Sequence, residues 1–144
     1  MKTKRVNRYY CDFCKKSGCS AGHMKKHESR CTLNPNRECG VCRLGNQWRR
    51  PVPMTELLAI LPDVVAFNGD PTCIDEIATG KAVAAVLPKL RAATADCPAC
   101  IFAALRQKGI PPSIVPGFDF QQEMNDLLRS IGEAQLQEPR AEWL

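Results

Sequence analysis

The chain has 144 residues, a length that allows one compact domain or two very small ones. No apolar run approaches the ~20 residues of a membrane span and no signal peptide is recognisable, so we expect a cytoplasmic protein without membrane contact. Nine cysteines cannot all pair as disulfides within one chain. In a reducing compartment, that number favours metal–thiolate sites over a disulfide scaffold.

Charge is distributed unevenly along the chain. Residues 1–50 contain 13 Lys and Arg against three acidic residues, whereas residues 51–144 contain seven against twelve. A basic N-terminal part favours a polyanionic partner such as nucleic acid. A solvated surface that keeps a small protein soluble explains the charge about equally well.

The first candidate metal site lies in residues 9–31, which contain four cysteines and both histidines of the chain. The spacing C-x2-C-x12-H-x3-C selects Cys11, Cys14, His27 and Cys31. His27 and Cys31 are four residues apart on a predicted helix that Ser20 would cap. Both side chains therefore share a face and can complete a tetrahedral site with the C-x2-C knuckle.

This pattern resembles the ββα zinc finger in its variant with cysteine as the fourth ligand. Tyr9 and Met24 stand where that family carries an aromatic and a core apolar residue, but Gly18 replaces its central aromatic. We therefore expect a thin core. The resemblance implies one Zn²⁺ ion held by four protein ligands, which leaves no position for an activated water and favours a structural ion.

Two other residues compete for places in this site. His23 also lies four residues before His27, so Cys11, Cys14, His23 and His27 form a rival set. That set leaves only eight residues between the knuckle and the first histidine, which is short for the turn into the helix, so we favour Cys31. Cys19 is a weaker candidate.

Docking in the manner of a ββα finger would point Cys19, Gly22 or His23, and Lys26 at the major groove. These positions lack the Arg, Asn and Gln that usually read bases. We expect five basic side chains to contact phosphates without reading sequence, namely Lys15, Lys16, Lys25, Lys26 and Arg30. Since many ββα fingers bind proteins, a protein partner is the alternative.

The second candidate site combines two further C-x2-C pairs, Cys39 with Cys42 in a turn and Cys97 with Cys100 at the start of a predicted helix. The combination resembles treble-clef and ribbon-type four-cysteine zinc sites, and it implies a second Zn²⁺ ion that ties residue 39 to residue 100. Two zinc ions are therefore expected. A thiol–disulfide oxidoreductase using Cys97 and Cys100 is an alternative, but the strand that should precede such a pair is not predicted.

Beyond residue 53 the sequence predicts helices and hardly any strand. The five helical segments are residues 55–63, 72–80, 81–95, 97–109 and 118–137. We expect Thr55, Asp96 and Asp119 to begin helices, Gly80 to end one, and Pro88 to kink or split another.

Three smaller expectations concern the same region. The sequence predicts an extended linker over residues 110–117 and a buried, inert thiol at Cys73. The last helix carries one apolar stripe, made of Phe120, Met124, Leu127, Leu128 and Ile131. This helix and the terminal Trp143 and Leu144 suggest a partner contact, but a last core helix explains the stripe slightly better.

These patterns predict a mainly α, small zinc-stabilised protein in three parts. Residues 1–32 form a basic zinc-finger-like module, residues 33–53 a turn-rich linker with the zinc knuckle, and residues 54–144 a helical domain tied to that knuckle. No catalytic residue and no small-molecule substrate are predicted.

The ligand spacing from Tyr9 to Cys42, together with the Asn-Pro-Asn-Arg turn at 34–37, is similar to that of small proteins encoded by tailed bacteriophages and prophages. The resemblance implies a phage setting more than an activity. We expect a non-enzymatic zinc protein whose basic finger binds nucleic acid and whose helices contact protein. A virion structural or tail or neck assembly protein is the alternative.

Overall fold

A computed structural model of the chain describes residues 1–44 and 52–137. About half of these residues lie in five α-helices, and two small antiparallel sheets accompany them. Among the described helices, none is both long and apolar enough to traverse a bilayer. The partner contact predicted for Trp143 and Leu144, and part of the linker predicted over 33–53, lie outside the described residues.

The N-terminal module consists of two short strands and a helix. Strand β1 (Tyr9–Tyr10) pairs antiparallel with β2 (Ser17–Gly18), and α1 (Ala21–Arg30) follows. Ser20 caps α1, since its hydroxyl accepts a hydrogen bond from the backbone N–H of His23 at 3.3 Å. The buried core of the module contains only Cys11, Met24 and Cys31, as expected from the glycine at position 18.

A turn at residues 32–37 fastens this module to the helical part. The Asn34 side chain is buried and donates to the carbonyl of Glu28 near the end of α1, at 2.8 Å. The Gln107 side chain donates to the carbonyls of Thr32 and Asn34 at 2.9 and 3.0 Å. Arg106 adds a hydrogen bond to the Thr32 hydroxyl at 2.9 Å. The finger-like module is therefore held by side chains that reach it from the helical part.

The helical part packs around one core. Its first three helices are α2 (Met54–Ile60), α3 (Glu76–Thr94) and α4 (Pro98–Lys108). Their fully buried side chains include Leu57, Val83, Leu90, Ile101 and Leu105. The last helix, α5 (Phe120–Gln137), packs on α4 through the rings of Phe102 and Phe120, whose centroids are 4.3 Å apart.

The predicted helix over 72–80 is wrong at its start. Residues 66–74 form a hairpin in which β3 (Ala66–Phe67) pairs with β4 (Asp70–Ile74). Asn68 and Gly69 both have positive φ angles, 50° and 77°, as the tight turns of hairpins require. The Asn-Gly pair is a strong hairpin signal that overrides the weak helical pattern around it.

Helix α3 unites two predicted helices. It begins after Asp75, whose carboxylate accepts from the N–H of Ala78 at 3.0 Å, and it runs through both Gly80 and Pro88. Gly80 does not end the helix; a Cβ there would collide with the Ile114 carbonyl oxygen, so glycine allows a close backbone approach. Pro88 lies on the exposed side of α3 and does not split the helix, although it removes one backbone hydrogen bond.

Three predicted helix starts can be compared with the structure. Asp119 does cap α5, since its carboxylate accepts from the N–H of Gln122 at 3.1 Å. Thr55 does not cap α2, which starts after Pro53 without a side-chain cap. Asp96 has a φ of 58° and pairs with Arg91, so Cys97 takes the N-cap position of α4 instead.

Two expectations about burial are also wrong. Residues 110–117 are no simple linker, because Ile110 and Val115 are buried in the core and Pro112–Ile114 form a 3-10 turn. Cys73 lies on the exposed hairpin strand instead of in the core. Its assignment to the core followed from the usual burial of a free cysteine that is not a metal ligand.

Replacement of Gly80 by alanine should destabilise the protein by about 1–3 kcal/mol, because the new methyl group meets backbone that cannot swing away. Gly132→Ala in α5 is the matched control, since no atom lies within 4 Å of a Cβ there. The control should be neutral or stabilising by up to ~1 kcal/mol through helix propensity. Denaturant unfolding measures both, and equal effects would contradict the close approach.

Candidate metal centres

The first cluster brings together Cys11, Cys14, His27 and Cys31, whose ligand atoms all lie within 4.8 Å of one another. The Cys14 sulfur is 3.2 Å from Nε2 of His27. Backbone N–H groups of Phe13 and Lys16 donate to the sulfurs of Cys11 and Cys14, each at 3.4 Å. Such donors stabilise thiolates, so the knuckle backbone prepares both sulfurs for a cation.

His23 and Cys19 lie outside this cluster. Both residues are exposed, whereas Cys31 is 4% exposed and packs beside Met24. The course of α1 explains why His23 is not part of the cluster. His23 lies in the first turn of the helix, whereas His27 lies in the last turn and Cys31 directly follows the helix. The geometry therefore favours the set that contains Cys31 over the rival set.

The second cluster joins the two ends of a long stretch of sequence. The sulfurs of Cys39, Cys42, Cys97 and Cys100 lie within 4.8 Å of one another, and three of these four residues are buried. The Cys39 and Cys97 sulfurs are 3.7 Å apart, and the Cys42 and Cys100 sulfurs are 3.6 Å apart. Pro98 in the first turn of α4 helps to fix the direction in which Cys97 and Cys100 enter the cluster.

These separations match those of tetrahedral metal sites. Metal–sulfur bonds of about 2.3 Å at tetrahedral angles place two sulfurs about 3.8 Å apart, close to both measured pairs. With a metal–nitrogen bond of about 2.0 Å, sulfur and nitrogen would be separated by about 3.5 Å. The Cys14–His27 distance is slightly shorter and fits after a small side-chain shift. Both groups are therefore able to hold a metal ion without rearrangement of the backbone.

The close sulfurs shift one another's pKa values. The contact with the Cys100 thiol lowers the pKa of Cys39, and the same contact raises the pKa of Cys100. Burial raises the pKa of Cys31. Because metal ions bind thiolates, a divalent cation held by either cluster would release the protons that remain on its sulfurs.

A cavity of about 260 Å³ adjoins the second cluster. Its walls include Cys39, Cys100 and the apolar side chains of Val52, Met54 and Leu57. The cavity borders the second cluster on the side of Cys39 and Cys100.

The structure divides the predicted phosphate contacts into two groups. Lys15, Lys16, Lys25 and Lys26 are exposed on the N-terminal module. Arg30 instead extends towards the second knuckle, where its guanidinium lies 3.8 Å from the position of a Cβ on Gly40. Arg30 is exposed like the four lysines, but its guanidinium also lies beside Gly40 of the second knuckle.

The start of α1 changes the groove-facing set. Because the helix begins at Ala21, a ββα docking mode would present Ser20, His23 and Lys26 instead of Cys19 and Gly22. The Ser20 hydroxyl is already used to cap the helix. His23 and Lys26 therefore remain as the polar side chains that α1 would present to a groove.

Sequence reasoning missed the polar residues that set the two clusters side by side. Asn34 bonds to both the end of α1 and its own turn, and Gln107 bonds to that turn from α4. The Asn-Pro-Asn-Arg segment was recognisable as a turn, but Gln107 lies 73 residues beyond Asn34 and has no local signal.

No protein-family model, curated protein or solved structure matches the chain.

Cys31→Ala should lower the free energy of unfolding by several kcal/mol in zinc-containing buffer, on the order expected when a structural metal site is deprived of a ligand. His23→Ala should change it by less than about 0.5 kcal/mol, because that side chain is exposed outside the cluster. Chemical denaturation of both variants measures the difference. An equal decrease in the two variants would contradict the assignment of Cys31.

Proposed function

We propose that this is a non-enzymatic zinc-binding protein in which two Zn²⁺ ions fix the fold. The observation that carries the proposal is that each cluster supplies four side-chain donors at tetrahedral spacing. Thiolate and imidazole donors in a tetrahedron suit zinc better than magnesium or calcium, which prefer oxygen. A fully protein-ligated ion is structural, because no position remains for water or substrate.

The positions of Cys97 and Cys100 favour this role over that of a thiol oxidoreductase. A redox-active C-x2-C pair presents an accessible low-pKa thiolate to its substrate. Here Cys97 and Cys100 are buried, and each lies within 3.7 Å of a sulfur in the knuckle. Sulfurs engaged in this way have no free path to a disulfide substrate.

Alkylation of the folded protein by iodoacetamide should modify Cys19 and Cys73 alone. Both are exposed, whereas the other seven cysteines belong to the two clusters. Removal of metal with a strong chelator should make all nine cysteines reactive. Mass spectrometry of tryptic peptides identifies the modified sites. Rapid modification of Cys97 in metal-replete protein would instead favour the redox alternative.

The excess of basic side chains on the N-terminal module favours the phosphate backbone of a nucleic acid as the binding partner. Residues 1–31 carry nine Lys and Arg against two acids, and Lys15, Lys16, Lys25 and Lys26 have no ion-pair partner in the described part of the chain. Glu28, one of the two acids, accepts a hydrogen bond from the backbone N–H of Asp12 and so fixes the backbone of the knuckle. Unpaired lysines on a fixed surface can replace the counterions of a phosphate backbone.

The double variant Lys25→Glu/Lys26→Glu should weaken binding to nucleic acid by at least about tenfold at low salt. The slope of log affinity against log salt concentration should become shallower by about one for each phosphate that is no longer neutralised. The control is Lys81→Glu/Lys89→Glu, which makes the same charge change at exposed positions on α3. Fluorescence anisotropy with a labelled oligonucleotide measures both pairs. Equal weakening would show that net charge alone, and not this surface, governs binding.

A phage structural or assembly protein is the second candidate, and α5 favours it. Only part of the apolar stripe of α5 is covered, since Leu128 is 48% exposed while Phe120 packs on Phe102. An incompletely covered amphipathic helix suits protein contacts. This candidate becomes the better explanation if the full-length protein does not bind nucleic acid at low salt.

A further inference from the structure

All aromatic side chains of residues 1–44 lie on the hairpin and knuckle of the N-terminal module, and all of them are exposed. Tyr9, Tyr10 and Phe13 are 37%, 65% and 40% exposed. A ββα finger normally buries an aromatic at its centre, but Gly18 occupies that position here. The module therefore carries its aromatic surface on the outside, where burial cannot explain it.

The pairing of the strands shows which face each aromatic occupies. Residues directly opposite each other in an antiparallel pair project to the same face. Gly18 faces Met24 of α1, with a Cβ position 3.8 Å from the Met24 Cε atom, and Tyr9 is opposite Gly18. Tyr10 is opposite Ser17 and thus points away from α1. Tyr10 is therefore the aromatic on the outer face of the hairpin.

Positive charge surrounds this outer face. The Nε atom of Arg8 donates to the Ser17 hydroxyl at 3.0 Å, which holds the guanidinium beside Tyr10. Lys15 and Lys16 follow Phe13 around the knuckle and are exposed. Asp12 is the only acid among residues 8–18. Along the chain, the exposed rings of Tyr10 and Phe13 are therefore flanked by Arg8 on one side and by Lys15 and Lys16 on the other.

This arrangement suits unpaired bases better than a duplex. Exposed aromatic rings stack on bases that have left a helix, while flanking cations hold the phosphates between them. Bases in a duplex are already stacked on one another and cannot use such rings. Helix α1, the element that would enter a major groove, offers only His23 and Lys26 once Ser20 is engaged as the cap.

We propose that the hairpin and the adjoining knuckle bind single-stranded nucleic acid by stacking bases on Tyr10, on the outer face of the hairpin, and on Phe13, exposed on the knuckle, while Arg8, Lys15 and Lys16 hold the phosphates. The proposal rests on the nucleic-acid binding proposed above and names its substrate class. Stacking is tolerant of sequence, so the site should accept many base sequences and depend strongly on salt.

The test uses the full-length, zinc-loaded protein with oligonucleotides of about twelve nucleotides, a length within the range that single-strand sites cover. The probes are oligo-dT, oligo-U and a duplex of the same length, which separate DNA from RNA and single from double strands. Single strands should bind more tightly than the duplex. Tyr10→Ala and Phe13→Ala should each weaken single-strand binding by at least about fivefold and leave duplex binding nearly unchanged.

Three controls separate stacking from unfolding of the module. Tyr10→Phe and Phe13→Tyr keep an aromatic ring and should keep the wild-type affinity. Phe67→Ala removes a similarly exposed ring, 49% exposed on β3, and should have no effect. The zinc content of each variant should stay at the wild-type value.

The outcomes distinguish this inference from the function on which it rests. If the protein binds the duplex as tightly as single strands and both alanine variants keep their affinity, the stacking site is wrong while nucleic-acid binding stands. If no probe binds at low salt, the proposed function fails as well. If the conservative variants bind as weakly as the alanine variants, stacking is again excluded.

Discussion

The convergence of four sulfurs from two distant segments is the constraint on which the rest of the structure depends. Cys39 and Cys42 lie in a turn after the finger-like module, and Cys97 and Cys100 lie at the start of α4. Their separations of 3.6 and 3.7 Å leave space for one tetrahedral ion. A metal ion held at this point would close a long loop and so add stability to this small core.

The finger-like module depends on this anchor because it has little core of its own. Its buried residues are Cys11, Met24 and Cys31, and two of these three are candidate ligands. The module gains further support from Asn34, Gln107 and the guanidinium of Arg30. The hairpin is consequently held in a defined direction, and its outer face keeps its aromatic rings in water. A module with a conventional aromatic core would have used such rings internally.

The sequence predicted those features that depend on local spacing. The C-x2-C pairs and the i, i+4 relation of His27 and Cys31 led to both clusters, because metal geometry requires such spacings. Strong local caps such as Ser20 and Asp119 were also recognisable. The boundaries of α3 were not, since Gly80 serves a contact with Ile114 that only the tertiary structure reveals. The exposure of Cys73 follows from the hairpin at residues 66–74, which was not predicted from the sequence.

The central claim is that metal ions hold these two clusters together, and the metal content of the folded protein tests it most directly. Native mass spectrometry of reduced protein, purified without added metal, should show one chain with two zinc ions. Chelation should then remove both ions and abolish the folded charge-state distribution. A folded, fully reduced chain with no bound metal would contradict the account.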